Sequence, residues 1–139
     1  MKRPFVSAVL LSSLLGLTAC AWADAPKITG RSLMWAEAIS KDCEVPPEIE
    51  FTSDGRVSGN TACNQLTGTF TESGTQLDLS KVGATKRACG PKLMEVENRF
   101  LTNLHNTRTF QIENDTVKLI DANGKVVMTL VPMKPGSCN

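Results

Sequence analysis

The sequence predicts an α+β fold, a curved antiparallel sheet or open β-barrel of about seven to eight short strands with one packed helix. Three observations lead there. Short stretches of alternating apolar and polar residues recur along the chain, separated by turn dipeptides such as Asp54-Gly55, Ser73-Gly74, Asn114-Asp115 and Asn123-Gly124. One stretch, from Gly90-Pro91 to Asn106, carries its apolar residues at helical spacing instead. Between them, Val57 to Cys89 sets two strand patterns between the cysteines Cys63 and Cys89. No constant period repeats, which argues against a propeller or a solenoid.

Arg31 to Ile39 reads as a first strand, with Leu33, Trp35 and Ala38 as core positions. Ser40 to Pro47 is a loop, because Pro46-Pro47 cannot continue a central strand. Glu48 to Thr52 alternates and places Ile49 and Phe51 on one face. After Asp54-Gly55, Arg56 to Ser58 returns as its partner, and Gly59-Asn60 marks a bulge or a residue of positive φ. Leu66, Gly68 and Phe70 alternate with threonines, and Leu77 and Leu79 alternate with polar residues. These two arms predict a second hairpin about Ser73-Gly74.

The helix begins at Pro91, since proline suits the first helical position, where its missing N–H costs nothing. Leu93, Val96, Phe100 and Leu104 share one face, with Met94 and Leu101 beside them. Glu95 and Arg99 form an i,i+4 pair on the other side. Thr109 to Glu113, Thr116 to Asp121 and Lys125 to Val131 are the closing strands, and Pro132 stops the last.

The N-terminus reads as a targeting segment. Lys2 and Arg3 precede an apolar run from Phe5 to Ala19, too short for a comfortable membrane span. The run ends in Leu17-Thr18-Ala19-Cys20, which resembles a bacterial lipobox. That resemblance implies cleavage before Cys20 and acylation of its sulfur, giving an outer-membrane lipoprotein that faces the periplasm. The alternative is a soluble periplasmic or secreted protein, cleaved after Ala21-Trp22-Ala23 or Ala23-Asp24-Ala25. The expected organisation is a signal peptide over 1–19, a tether over 20–30, one domain over 31–132 and a tail over 133–139. Loss of Lys2 and Arg3 from 15 basic residues, against 14 acidic ones, leaves a mature charge of about −1. The full chain's net charge of +1 gives no reason to expect a nucleic-acid or polyanion partner.

With Cys20 assigned to lipid, Cys43, Cys63, Cys89 and Cys138 remain, an even set suited to an oxidising compartment. Four cysteines allow three pairings. We favour Cys63–Cys89 and place Cys43–Cys138 second.

The chemistry of catalysis is sparse. The one histidine, His105, lies near the helix end, where a solvated imidazole favourable to the dipole is the expected role. No cysteines are spaced as zinc ligands. Asp121-Ala122-Asn123-Gly124 reads as a hairpin turn, since no glutamate follows at the twelfth position of a calcium loop. Glu48 and Glu50 face away from Ile49 and Phe51, toward solvent. Glu95 and Glu97, two residues apart on a helix, point in different directions. Lys86-Arg87 reads as a solvated loop. Met34, Trp35, Met94 and Met128 are candidates for an apolar groove, with core packing as their expected role. No catalytic, metal or cofactor residue is assigned.

Ala62-Cys63-Asn64 is followed by Gly68 and Phe70, then by Thr85 and Cys89 ahead of the helix. Glu97 and Phe100 lie within the helix, and Asp115-Thr116-Val117-Lys118-Leu119 precedes Gly124. In this order, over roughly Leu33 to Val131, the chain resembles META-domain proteins of the HslJ type. The family marker has glycine where Ala62 stands and commonly tyrosine where Phe70 stands. Alanine disfavours a positive φ at position 62, which Gly59 or Asn60 would take over. Cys43 and Cys138 are not part of the marker.

The resemblance implies a small curved-sheet domain without known enzymatic activity. It implies an envelope protein linked to heat shock and novobiocin resistance, with a fold similar to that of a pilotin, a lipoprotein that binds a secretin. The expected function is therefore non-enzymatic: a lipid-anchored envelope domain that serves stress or antibiotic tolerance by binding an envelope protein or a ligand. The alternatives are a secreted hydrolase inhibitor presenting the Ser40 to Pro47 loop, and a pilotin-like chaperone of an envelope protein.

Overall fold

The structure, a computed structural model, describes residues 24–39 and 45–134. Cys20, Cys43 and Cys138, with the signal peptide, most of the tether, the tip of the Ser40 to Pro47 loop and most of the tail, lie outside the described residues. The strands are β1 Ser32–Trp35, β2 Glu48–Phe51, β3 Arg56–Asn60, β4 Gln65–Thr69 and β5 Thr71–Ser73. They continue with β6 Gln76–Asp78, β7 Gly83–Ala84, β8 Thr107–Glu113, β9 Thr116–Asp121 and β10 Val126–Pro132. One helix, α1, spans Pro91–Asn106. The strands form one antiparallel sheet in the order β5-β6-β8-β9-β10-β1-β2-β3-β4-β7. It is curved into a half-barrel, because β4 and β5 belong to opposite flanks of this order yet are joined by Phe70 alone.

The ten described strands exceed the expected seven to eight for two reasons. Phe70 turns into the core and its N–H donates to the Gly55 carbonyl at 3.0 Å, which splits the expected single strand into β4 and β5. β7 has two residues, too few to show an alternation. The second hairpin is correspondingly shorter than expected. Its arms are β5 and β6, while β4 pairs with β3 and β7.

The first strand is also shorter than Arg31 to Ile39. Trp35 N–H donates to Pro47 O at 2.9 Å, and beyond that pair Pro46 and Pro47 have no N–H to extend the ladder. The chain turns into a 3-10 segment over Ala36–Ala38 instead. There the Glu37 carboxylate accepts the Thr129 N–H, at 3.1 Å from one oxygen and 3.3 Å from the other. Pro132 does not lie past the last strand: it is the final residue of β10 and faces Leu33.

Gly59 has φ +148°, but β3 keeps register with β2 and β4 through it, so no bulge forms. A Cβ there would lie 2.1 Å from the Glu48 carbonyl oxygen, so the glycine answers a close approach of two backbones. Bulges occur instead between Thr107 and Thr109 and between Val126 and Met128.

Helix α1 lays Phe100 and Leu104 into the concave face, both fully buried. Val96 and Leu101 are half-buried against the same core. Trp35 stacks on Phe100 with centroids 5.8 Å apart, and the Arg99 guanidinium lies 5.5 Å from the Trp35 ring centroid. Phe51 and Phe70 meet edge to face at 5.1 Å. Met34, Trp35 and Met128 are buried in the fold, while Met94 is half-exposed. Among the described residues, no helix is long and apolar enough to cross a membrane.

The segment entering β1 is fixed at one end of the sheet. Ile28 is fully buried, and its N–H donates to Glu72 Oε1 at 2.8 Å. Thr29 donates its N–H to Glu72 Oε2 at 3.2 Å and its hydroxyl to the same oxygen. Glu72→Ala removes the acceptor for all three donors and is expected to lower stability by about 2 kcal/mol, read by thermal unfolding.

Candidate functional site

The residues of the family pattern converge at the end of the sheet where β3 turns into β4. Thr61 N–H donates to Asn64 O at 2.8 Å, closing a tight turn, and Asn64 N–H returns to Thr61 Oγ1 at 2.8 Å. Ala62 takes the positive φ of this turn itself, at +75°. The expectation that Gly59 or Asn60 would relieve it is not met: Asn60 is part of β3, and its side chain instead accepts the Ala62 N–H at 3.0 Å. An L-residue held there costs about 1–2 kcal/mol. Glycine would remove that strain but adds about 0.5–1 kcal/mol of unfolded-chain entropy. Ala62→Gly is therefore expected to raise stability by about 0.5–1 kcal/mol, seen as a higher denaturation midpoint at unchanged slope.

Asn64 is the hub. It is 5% exposed, so its amide must find protein partners. Its Oδ1 accepts the Arg87 N–H at 2.8 Å and the Thr85 hydroxyl at 3.0 Å. Its Nδ2 donates to Arg87 O at 3.0 Å and to Glu97 Oε2 at 2.9 Å. One side chain thus grips both backbone groups of Arg87 and reaches the helix. The Thr61 hydroxyl, fully buried, donates to the same Glu97 oxygen. Arg87 Nη2 donates to Cys63 O at 3.0 Å, so the basic pair at 86–87 is only partly a solvated loop.

Cys63 and Cys89 are bonded, with their Cα atoms 6.0 Å apart, and tie the residue before the helix cap to the same turn. The helix is therefore attached to the β3–β4 turn twice, by the disulfide at its start and by Glu97 two turns later.

Glu95 and Glu97 do point in different directions, and Glu97 is the inward one, at 6% exposure. Glu95 is exposed, as a helix with that apolar face requires. A signal was available in the chain, since Glu97 stands three residues before Phe100 and seven before Leu104, on the buried stripe. An acid there needs buried donors, which Thr61 and Asn64 supply.

Chemically the cluster is a joint. Its donors and acceptors satisfy one another, and its cysteines are bonded. His105 is engaged elsewhere, with Nε2 2.6 Å from Val82 O. Among the described residues, no three His, Cys, Asp or Glu side chains group as metal ligands.

Two carboxyls among the described residues, both in exposed turns, are shifted by their neighbours. The Thr52 hydroxyl holds Asp54 below the usual carboxylate range, and the Ser80 hydroxyl and N–H do the same for Asp78. Because folding lowers both, their contribution is present at neutral pH and is lost as pH falls through the folded values.

Outside the joint lies a shallow groove of about 480 Å³, lined by Val45, Asn60, Ala62, Gln65, Thr85 and Arg87 among others. Val45 is 59% exposed at its rim. A second groove, of about 390 Å³, lies at the opposite end of the sheet, between Lys27, Ser53, Phe70 and Glu72.

Solved structures share the fold at low identity. An NMR structure of a protein from Burkholderia xenovorans aligns with a TM-score of 0.59 at 20% identity, covering 96% of this chain and 99% of that one. A second NMR structure aligns at 0.57 and 22% identity, covering 74% and 89%. A DUF4847 family protein from Bacteroides vulgatus aligns at 0.50 and 20% identity, covering 61% and 57%. No curated protein matches this chain. The family model of the META domain matches residues 27–134, which takes in every described strand, helix α1 and the whole Thr61–Glu97 joint, and the chain belongs to the META domain family.

Proposed function

We propose that this is an HslJ-like envelope protein, anchored through an acylated Cys20, that serves stress or antibiotic tolerance by binding a partner rather than by catalysis. One observation carries the reading. The polar groups of the family pattern are satisfied within the joint, which leaves the adjoining groove as a preformed surface with no activated nucleophile among its described residues. A fixed groove limits the ordering cost of association. Its exposed Arg87 and Gln65 side chains offer polar contacts beside the apolar Val45.

A photo-crosslinking residue at Gln65, in intact cells, is expected to give one adduct of defined mass that Arg87→Glu abolishes. The same residue at Thr102, exposed on the helix, is expected to give none. Absence of the Gln65 adduct, or equal labelling at both sites, counts against the groove. Mass spectrometry of the mature protein is expected to find acyl chains on Cys20.

A further inference from the structure

The two grooves lie at opposite poles of the sheet, and the chain enters at only one of them. The chain runs from Gly55, on the lower groove, through β3 to Thr61, at the joint. Six residue steps at strand spacing separate the poles by about 20 Å. β2 and β1 keep the same polarity, since Glu48 faces Asn60, Phe51 faces Val57, and Ser32 faces Glu50. The entering segment is locked at the lower pole by Glu72, by buried Ile28 and by the Gly30 N–H, which donates to Phe51 O at 2.6 Å. Arg31 Nε also donates to Lys27 O at 2.8 Å, so the fixed part reaches back to Lys27. The far strand end agrees, because the Met133 N–H donates to Ser32 O at 3.3 Å and brings the C-terminal side to the same pole.

Lys27 stands seven residues after Cys20. Seven residues span at most about 25 Å when fully extended. To lay the joint pole on a bilayer, the tether would have to run the length of the sheet, about 20 Å, almost fully stretched. A chain held so straight loses most of its conformational freedom, whereas the lower pole can rest on the bilayer with the tether slack.

Resting on the anchored reading above, we infer that the pole of Lys27, Ser53, Gly55 and Glu72 faces the lipid headgroups. The Cys63–Cys89 pole and its groove then point away from the membrane. The lower pole lies on the headgroups and does not insert, because the turn residues Ser53, Asp54 and Gly74 that edge it are small or polar. Of the exposed large hydrophobics, Ile39 and Val45 flank the upper pole, and Met133 alone stands at the lower one among the described residues. The partner surface thus faces the aqueous compartment.

The test uses the full mature protein on vesicles of phosphatidylethanolamine and phosphatidylglycerol that contain acceptor-labelled headgroups. A fluorescent non-natural residue replaces Ser53 in one sample and Lys86 in another, which leaves the cysteines intact. Energy transfer from position 53 is expected to exceed that from position 86 at least twofold. Inserting ten flexible residues after Asp24 is expected to bring the two toward equality. Equal or reversed transfer in the uninserted, acylated protein overturns the orientation and leaves the anchored reading standing. Mass spectrometry that finds no acyl chain on Cys20 overturns both.

Discussion

Replacing Cys63 and Cys89 together by serine is expected to lower stability by about 3–4 kcal/mol. The bond closes a loop of sequence separation 26, and the chain-entropy estimate for such a loop falls in that range. For a domain of this size, whose total stability is about 5–15 kcal/mol, the loss is large. Urea unfolding of the double variant, and of the wild type under reductant, should agree. The slope should rise as well as the midpoint fall, because the uncrosslinked unfolded chain exposes more surface. A loss below about 1 kcal/mol would show that the Asn64 grip on Arg87 holds the loop without the covalent bond. A single cysteine replaced on its own is a poorer test, since it leaves a free thiol.

Asn64→Ala is expected to cost about 3 kcal/mol or more. It removes the donor to the buried Glu97 carboxylate and, at once, the partners of the Arg87 N–H and carbonyl. A hydrogen bond to a charged group contributes about 1.5–3 kcal/mol, and neutral ones about 1 kcal/mol each. Arg87 is exposed, so water replaces part of what its backbone loses. Glu97 is not, and keeps only the Thr61 hydroxyl among the donors described. The cycle of Asn64→Ala with Glu97→Leu separates these contributions. If the Asn64 cost arises mainly from stranding the carboxylate, it should shrink markedly once leucine stands at 97. Additive costs would show that the Arg87 loop, and not the helix, is what Asn64 stabilises.

The α+β class, the helix with both of its ends, and most strand positions were legible because each rests on local signals. Proline at 91, the apolar stripe from Leu93 to Leu104, and turn pairs such as Asp54-Gly55 act over a few residues. What was not legible depends on partners distant in sequence. Nothing near Phe70 announces that Gly55 will take its N–H and bend the strand. Nothing near Gly83 announces a strand, because two residues have no period. The first strand stops short owing to the prolines that face it across the sheet. The joint was legible in part: its residues stood out as a pattern, but their mutual contacts did not. Asn64, Arg87 and Glu97 meet across separations of 23 and 33 residues, which no local rule spans. Glu97 in particular was masked by its own chemistry, since an acid on a helix is ordinarily a surface residue.

The position of β1 between β2 and β10 has a consequence for how the molecule comes into being. The opening strand of the domain can satisfy one of its edges from its neighbour in sequence, but its other edge waits for the closing strand, some hundred residues later. The nascent domain therefore stays incomplete until β10 has emerged, and trimming this seven-residue strand should abolish cooperative folding instead of merely loosening one margin.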